Sequence, residues 1–163
     1  EDYAAVELPY GDSAFSMVEI LPSEDMTVGE LIAMYGQEEW GQLDSYSGTQ
    51  KVTVELPKFK YGFKSLLNDP LTGLGLGVAF GEGADFSGIT TETDLFISRV
   101  IHQTFIDVNE EGTEAAAATI VEMRETSAFG NYIRFDKPFI YIIKENSTGA
   151  ILFMGKVGRP VYE

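Results

Sequence analysis

The sequence predicts an α+β fold in which strands outnumber helices. Apolar and polar residues alternate with a period of two in several segments, and clusters of turn-forming residues separate these segments. Few segments have the spacing and capping residues of a helix. With 163 residues, 44% of them hydrophobic, the chain is long enough to form one domain with a core.

The N-terminal third contains a predicted hairpin, a helix and a strand. Residues 6–8 and 15–21 read as two strands joined by a turn at 10–13. Thr27-Val28-Gly29-Glu30 has capping-box spacing and predicts a helix to about residue 35, followed by a short helix at 38–43. Residues 51–56 alternate as a half-buried strand does, and Phe59, Tyr61 and Phe63 continue the alternation.

The rest of the chain is predicted to be mainly extended. Asn68-Asp69-Pro70 predicts a helix start, and glycines at 73, 75 and 77 predict where that helix ends. Residues 95–108 form a long extended segment. Residues 132–135, 139–144 and 151–157 predict three strands, the last two joined by a turn at 145–149.

An alanine-rich segment at residues 110–122 has two physical interpretations. Alanine and glutamate favour a helix, and Thr113 could cap it, so a short surface helix is one interpretation. With a period of two, the same segment has one face without charge, whereas Glu114, Glu122 and Arg124 share the other. The uncharged face consists of Thr113, Ala115, Ala117, Thr119, Val121 and Met123.

The second interpretation predicts a segment that can enter the middle of a sheet. Gly112 supplies the backbone freedom of a pivot. Glu111 and Glu125 lie on the same face as the uncharged residues, just before and just after them, and would place a charge inside the sheet. Because an unpaired buried carboxylate is costly, insertion should stop short of Glu125. About ten new backbone hydrogen bonds at roughly 1 kcal/mol each would only offset the conformational-entropy cost of ordering residues 113–123. Side-chain burial and strain in the uninserted state must therefore drive insertion.

Five phrases in this chain resemble the C-terminal part of serpins. One is the segment at 110–122, which resembles the hinge of the serpin reactive-centre loop. The others are Leu56-Pro57-Lys58-Phe59-Lys60, Gly83-Ala84-Asp85-Phe86-Ser87-Gly88-Ile89, Asp136-Lys137-Pro138-Phe139 and Leu152-Phe153-Met154-Gly155-Lys156-Val157. The resemblance implies a serpin fold of several mostly antiparallel sheets with surrounding helices. Residues 1–163 would be the strand-rich C-terminal part of one serpin domain, with the reactive-centre loop at about 111–131.

The resemblance also implies a suicide-substrate inhibitor of serine proteases, with cysteine proteases as further targets. In serpins the loop becomes a strand of the large sheet and stored strain is released. Residues 95–108 would be the strand beside which the loop inserts. The N-terminal piece of the same serpin is an expected noncovalent partner. The implied hinge is Glu110, Glu111, Gly112, Thr113, Glu114, Ala115, Ala116, Ala117, Ala118 and Thr119.

By family resemblance, the loop length counted forward from Glu110 reaches Thr126, and counted back from Pro138 it reaches Ser127, one residue later. Thr126-Ser127 is therefore the first choice for the reactive bond. The uncharged face independently requires a cut beyond Met123. A small β-branched residue before the cut suits an elastase-like or subtilisin-like protease. Arg124-Glu125 is the second choice and would attract trypsin-like proteases.

Two further residues match serpin positions. His102 lies among apolar residues, where we expect a core histidine satisfied by its neighbours. By resemblance it matches the histidine of the serpin shutter, where the large sheet parts. Lys58 would pair with Glu110 at the breach where the loop enters; otherwise the two are solvated charges with little mutual stabilisation.

Composition argues against several other functions. A net charge of −15 disfavours nucleic acid and anionic membrane partners. With one histidine, no cysteine and no Gly-x-Ser-x-Gly elbow, we expect neither an enzyme nor a metal or cofactor site. Gly73 to Gly77 lack the phosphate-loop pattern, and Asn146-Ser147-Thr148 is a glycosylation sequon that matters only in a secreted eukaryotic protein. The resemblance implies an extracellular, cell-surface or periplasmic location.

Two alternatives remain at this point. The first is a non-inhibitory serpin that acts as a carrier or chaperone, although such serpins often have bulky or charged residues on the inward hinge face. The second is a plain protein-interaction module whose alanine-rich segment is a docking helix.

Overall fold

The computed structural model of the protein describes residues 2–34, 52–109, 122–124 and 132–161. These residues form two units, Glu1–Phe59 with Asp107–Glu163, and Lys60–Ile106. The strands are β1 (Tyr3–Tyr10), β2 (Phe15–Pro22), β3 (Thr53–Glu55), β4 (Phe59–Leu66), β5 (Ile101–Val108), β6 (Glu122–Arg124), β7 (Tyr132–Arg134), β8 (Phe139–Glu145) and β9 (Ile151–Val157), and the α-helices are α1 (Val28–Met34) and α2 (Asn68–Leu71).

The first unit contains a five-stranded sheet in the order β6-β1-β2-β8-β9. All neighbouring strands in it are antiparallel. The predicted hairpin is confirmed, with both strands longer than expected and paired from Tyr3 opposite Pro22 to Tyr10 opposite Phe15. Its turn contains Gly11 and Ser13, both with positive φ. Strand β2 therefore lies at the centre of the sheet.

Helix α1 covers one face of this sheet. Val28 and Leu31 of the helix pack in a core with strand residues Ala5, Val18, Ile20, Ile140 and Ile142. The helix starts at the predicted capping box: the Thr27 amide donates to Glu30 Oε2 at 2.8 Å, and the Glu30 amide donates to Thr27 Oγ1 at 3.2 Å. The bond from the Thr27 backbone lowers the pKa of the Glu30 carboxyl. The short helix predicted at 38–43 lies outside the described residues.

Aromatic rings cover the opposite face. The rings of Phe135 and Phe139 lie 5.0 Å apart at 67°, and the ring of Phe59 lies 5.9 Å from Phe139 and 5.5 Å from Tyr141. These edge and tilted contacts are the favourable arrangements for aromatic pairs. Strand β2 is consequently buried on both faces from Ser16 to Pro22.

A glycine on β9 makes room for one of these rings. Gly155 lies directly opposite Tyr141 of β8. A Cβ built on Gly155 would lie 2.5 Å from the Tyr141 hydroxyl oxygen and 2.7 Å from the ring carbon that bears it. Real Cβ atoms do not approach so closely, so the ring position depends on the glycine. Tyr141 is only 5% exposed and has little room to move away.

The turn between β8 and β9 lies at the predicted position. Glu145 accepts hydrogen bonds from the amides of Ser147 and Thr148 at 3.0 and 2.8 Å. Hydrogen bonds from Thr148 and Ser147 lower the pKa of this carboxyl to about 2. The Asn146 Nδ2 donates to the Ser13 carbonyl at 2.8 Å and to Ser16 Oγ at 2.7 Å. A glycan on that nitrogen would break at least one of these bonds, so the sequon has a structural role in the turn.

The second unit consists of a two-stranded β4–β5 sheet, α2 and the irregular turns that follow it. Helix α2 begins at Asn68 as predicted, and helical turns continue through Thr72–Leu76 and Gly77–Phe80. Gly75 breaks their regularity with φ +96°, which glycine adopts without steric penalty. The long extended segment predicted at 95–108 is a strand only over Ile101–Val108. Within the described parts, no helix is long and apolar enough to cross a membrane.

Removal of one half-buried ion pair should destabilise the first unit. Lys144 Nζ lies 3.3 Å from Glu7 Oε1, and the side chains are 13% and 12% exposed. We expect Lys144→Met to lower the free energy of unfolding by about 2 kcal/mol, because it leaves the Glu7 carboxylate without this cation in a poorly solvated place. Urea unfolding measures the change. Lys137→Met is the matched control, since Glu24, its partner at 3.0 Å, is 87% exposed. That control should change stability by about 0.5 kcal/mol, and equal losses in the two variants would contradict the prediction.

Candidate functional site

The predicted reactive segment connects three described strands. Strand β5 ends at Val108, β6 covers Glu122–Arg124 and β7 begins at Tyr132. The predicted hinge from Glu110 to Thr119 lies outside the described residues, and so do Glu125, Thr126 and Ser127. The strands that enter and leave the segment therefore define the site structurally.

Strand β5, which leads into the hinge, has one edge open among the described residues. Its other edge pairs with β4. Gly62 of β4 lies close to this partner, since a Cβ there would lie 3.6 Å from the Thr104 carbonyl oxygen. The Lys60 ammonium lies 5.4 Å from the centre of the Phe105 ring, within the range of a cation–π contact. An open strand edge presents backbone donors and acceptors that an additional strand can pair with.

Asn68 holds the backbone just before β5. Its Oδ1 accepts a hydrogen bond from the Val100 amide at 2.9 Å, and its Nδ2 donates to the Ser98 carbonyl at 3.0 Å. The Leu67 amide adds a bond to the Val100 carbonyl at 2.9 Å. The sequence pattern indicates Asn68 only as a helix start, because both of its hydrogen-bond partners lie about thirty residues away along the chain. The start of β5 is thus fixed to the start of α2.

The expectation of a core histidine at position 102 is wrong. His102 lies in β5 as predicted, but its side chain is exposed. Its apolar neighbours Ile101 and Phe105 are also exposed, at 46% and 61%. Ile106, on the same side of β5 as His102, is 7% exposed, so β5 is covered near its C-terminal end but not at His102.

Of the two residues of the proposed breach pair, the structure describes only Lys58. Lys58 is exposed directly before β4, where a long basic side chain can reach another segment. Its suggested partner Glu110 lies outside the described residues, so the pairing stays a prediction.

The chain downstream of the reactive segment is firmly anchored. Strand β7 pairs in parallel with β3, with Ile133 opposite Val54. The Phe135 amide continues the ladder by donating to the Glu55 carbonyl at 2.9 Å. Ile133 and Phe135 are 1% and 0% exposed, so their burial holds the segment in place.

A small polar cluster lies at the exposed side of this anchor. Arg134 Nε lies 3.5 Å from Glu55 Oε2 and 3.7 Å from Asp136 Oδ2. A hydrogen bond to the Glu55 carboxylate is the main cause of a raised pKa of the Tyr132 hydroxyl. The cluster is about half exposed, and contributes less to the anchor than the two buried side chains do.

Strand β6 lies within the reactive segment and adds to the edge of the five-stranded sheet. Its residues pair antiparallel with β1, with Met123 opposite Val6 and Arg124 opposite Ala5. Glu122–Arg124 are extended and paired at this edge, whereas the strand interpretation concerns insertion into the large sheet, which stays a prediction. No group of three or more histidine, cysteine or acidic side chains in the described ranges could hold a metal ion.

Comparison with known proteins identifies the fold around this site. The family model described as Serpin (serine protease inhibitor) matches residues 1–160. The chain belongs to the serpin family. A "Serine protease inhibitor" from Cyanea capillata is 42% identical over 161 residues, which cover 95% of this chain and 42% of that protein. The "Leukocyte elastase inhibitor" of Sus scrofa is 39% identical over 164 residues, which cover 95% of this chain and 43% of that protein.

Solved serpin structures resemble the model as well. The native state of the thermophilic serpin tengpin matches with a TM-score of 0.77 and 36% identity, over 96% of this chain and 42% of the tengpin chain. The predicted α+β serpin fold is therefore confirmed. This serpin chain spans somewhat less than half the length of the relatives that it matches.

Proposed function

We propose that this chain contributes the reactive-centre loop of an inhibitory serpin, a suicide-substrate inhibitor of serine proteases and of some cysteine proteases. The target protease would cut the loop and form its acyl-enzyme. The freed loop would then become a strand of the large sheet and trap the enzyme. The open edge of β5, directly upstream of a hinge with a small and uncharged inward face, is the observation that carries this proposal.

The structure supports the two mechanical requirements of such a loop. Upstream, Asn68 and β4 hold β5 in an extended conformation, so the hinge starts from an existing strand edge. Downstream, the buried side chains of Ile133 and Phe135 hold the far end in place. In serpins the uncut loop is held under strain, and a cut within it releases that strain.

We propose Thr126-Ser127 as the reactive bond and Arg124-Glu125 as the second choice. The name of the porcine relative, an inhibitor of leukocyte elastase, agrees with an elastase-like target for the first bond. A subtilisin-like protease would also accept a small residue before the cut, whereas a trypsin-like protease would require the second bond. We also propose an extracellular, cell-surface or periplasmic location.

Incubation with a purified elastase-like protease tests the proposal. We expect a protein–protease complex that survives denaturing electrophoresis, together with a C-terminal peptide whose mass locates the cut. Release of intact protease with complete cleavage of the loop would instead indicate a non-inhibitory serpin, such as a carrier or chaperone. Absence of any cut between residues 111 and 131 would favour the plain interaction module. A protease with its catalytic serine replaced serves as the control, because it cannot form the acyl-enzyme.

A further inference from the structure

The carboxyl group of Glu19 lies in the interior of the five-stranded sheet without a hydrogen-bond partner. Glu19 is 0% exposed, and neither of its side-chain oxygens has a partner. It stands near the middle of β2, the central strand, between Met17–Val18 and Ile20–Leu21, which are all buried. Buried polar groups are nearly always hydrogen-bonded, so this carboxyl group requires an explanation.

No charge of opposite sign faces Glu19 among the side chains that the structure describes. Val6 of β1 and Tyr141 of β8 lie directly opposite it on the two neighbouring strands. Tyr141 is the titratable side chain directly opposite Glu19 on this face, whereas Tyr10 and Glu145 share the face but lie opposite Phe15, at the far end of β2. The rings of Phe59, Phe135 and Phe139 form one aromatic cluster with Tyr141. The charged residues of the adjacent strands and of the covering layer lie elsewhere: Glu7 and Lys144 pair on the face that carries Val18, Glu55 and Arg134 pair at a half-exposed position, and Lys58 is exposed.

An ionised carboxylate in such a place is far less stable than a neutral acid. Burial disfavours the charged form and raises the pKa of Glu19 from its ordinary value of 4.5 to about 8. The group therefore keeps its proton in the folded protein at pH values where an unfolded chain would have lost it.

We propose that Glu19 is a neutral carboxylic acid in the folded serpin and makes the stability of the five-stranded sheet decrease as the pH rises. Below pH 4.5 the group is protonated in both states and causes no pH dependence. Between about 4.5 and 8 only the unfolded chain releases the proton, so each rise in pH favours unfolding. Above about 8 both states are ionised and the destabilisation is constant. This inference is independent of protease inhibition.

The test is a series of urea unfolding curves between pH 5 and 9 on the whole protein and its Glu19→Gln and Glu19→Leu variants. We expect the unfolding equilibrium constant of the wild type to rise about tenfold per pH unit relative to either variant up to about pH 8, and then to level off. Two variants are used because one of them could fold poorly. A ratio that stays constant with pH would overturn the proposal.

Infrared spectroscopy of the wild type gives a second measurement that needs no variant. We expect an absorption band of a protonated carboxylic acid at pH 6 that disappears as the pH rises through about 8. Loss of that band below pH 6 would show that Glu19 is ionised in the folded protein and would refute the proposal.

Discussion

Under the proposed inhibitory function, replacement of Ala115 by glutamate should turn the serpin from an inhibitor into a substrate. Ala115 belongs to the uncharged face of the hinge, and insertion would bring that face into the interior of a sheet. A carboxylate there would be buried without a partner, which costs several kcal/mol. Because insertion must outrun hydrolysis of the acyl-enzyme, a penalty of about 4 kcal/mol corresponds to roughly a thousandfold slower trapping. The measurement is the ratio of stable complex to cleaved serpin after reaction with an elastase-like protease.

Ala116 provides the matched control. It is the same residue type, one position further along, and lies on the face that carries Glu114 and Glu122. Ala116→Glu should keep most of the complex, because its carboxylate would point away from the inserted face. Equal behaviour of the two glutamate variants would refute the assignment of faces, and with it the strand interpretation of the hinge.

Gly155→Ala should be among the most destabilising single-methyl additions in the chain. The new Cβ would lie within 2.8 Å of three atoms of the Tyr141 side chain. That ring also contacts Phe59, with ring centres 5.5 Å apart, so it cannot shift freely. Overpacking of this kind costs about 3 kcal/mol, measurable as a lower urea midpoint.

Two further variants identify the cause of that loss. Gly158→Ala adds the same methyl group where nothing lies within 4 Å, and should change stability by less than about 0.5 kcal/mol. Tyr141→Leu in the Gly155→Ala background should recover part of the loss, because the leucine side chain is shorter than the tyrosine ring. If the double variant loses the full sum of both single effects, the clash is not the reason for the glycine.

Sequence patterns located most strands because their causes are local. The short apolar runs of β8 and β9, the turn at 145–149 and the capping box at Thr27 are each set by residues a few positions apart. The match to serpin motifs added the fold, and the role of the hinge stays a prediction.

Features set by distant partners could not be predicted in the same way. Glu19 is buried opposite Tyr141, a residue more than a hundred positions away along the chain. The exposure of His102 could not be read from its apolar neighbours in sequence, because they too are exposed. The bonds of Asn68 to Ser98 and Val100 likewise join segments that no short motif connects.

The parallel pairing of β7 with β3 has a practical consequence for a chain that is cut at the proposed reactive bond. Strands β7, β8 and β9 all follow the cut, and two of them belong to the five-stranded sheet. The severed tail should therefore stay with the main body under native conditions. Gel filtration would report a single particle of unchanged mass, and the nick would become visible only after denaturation.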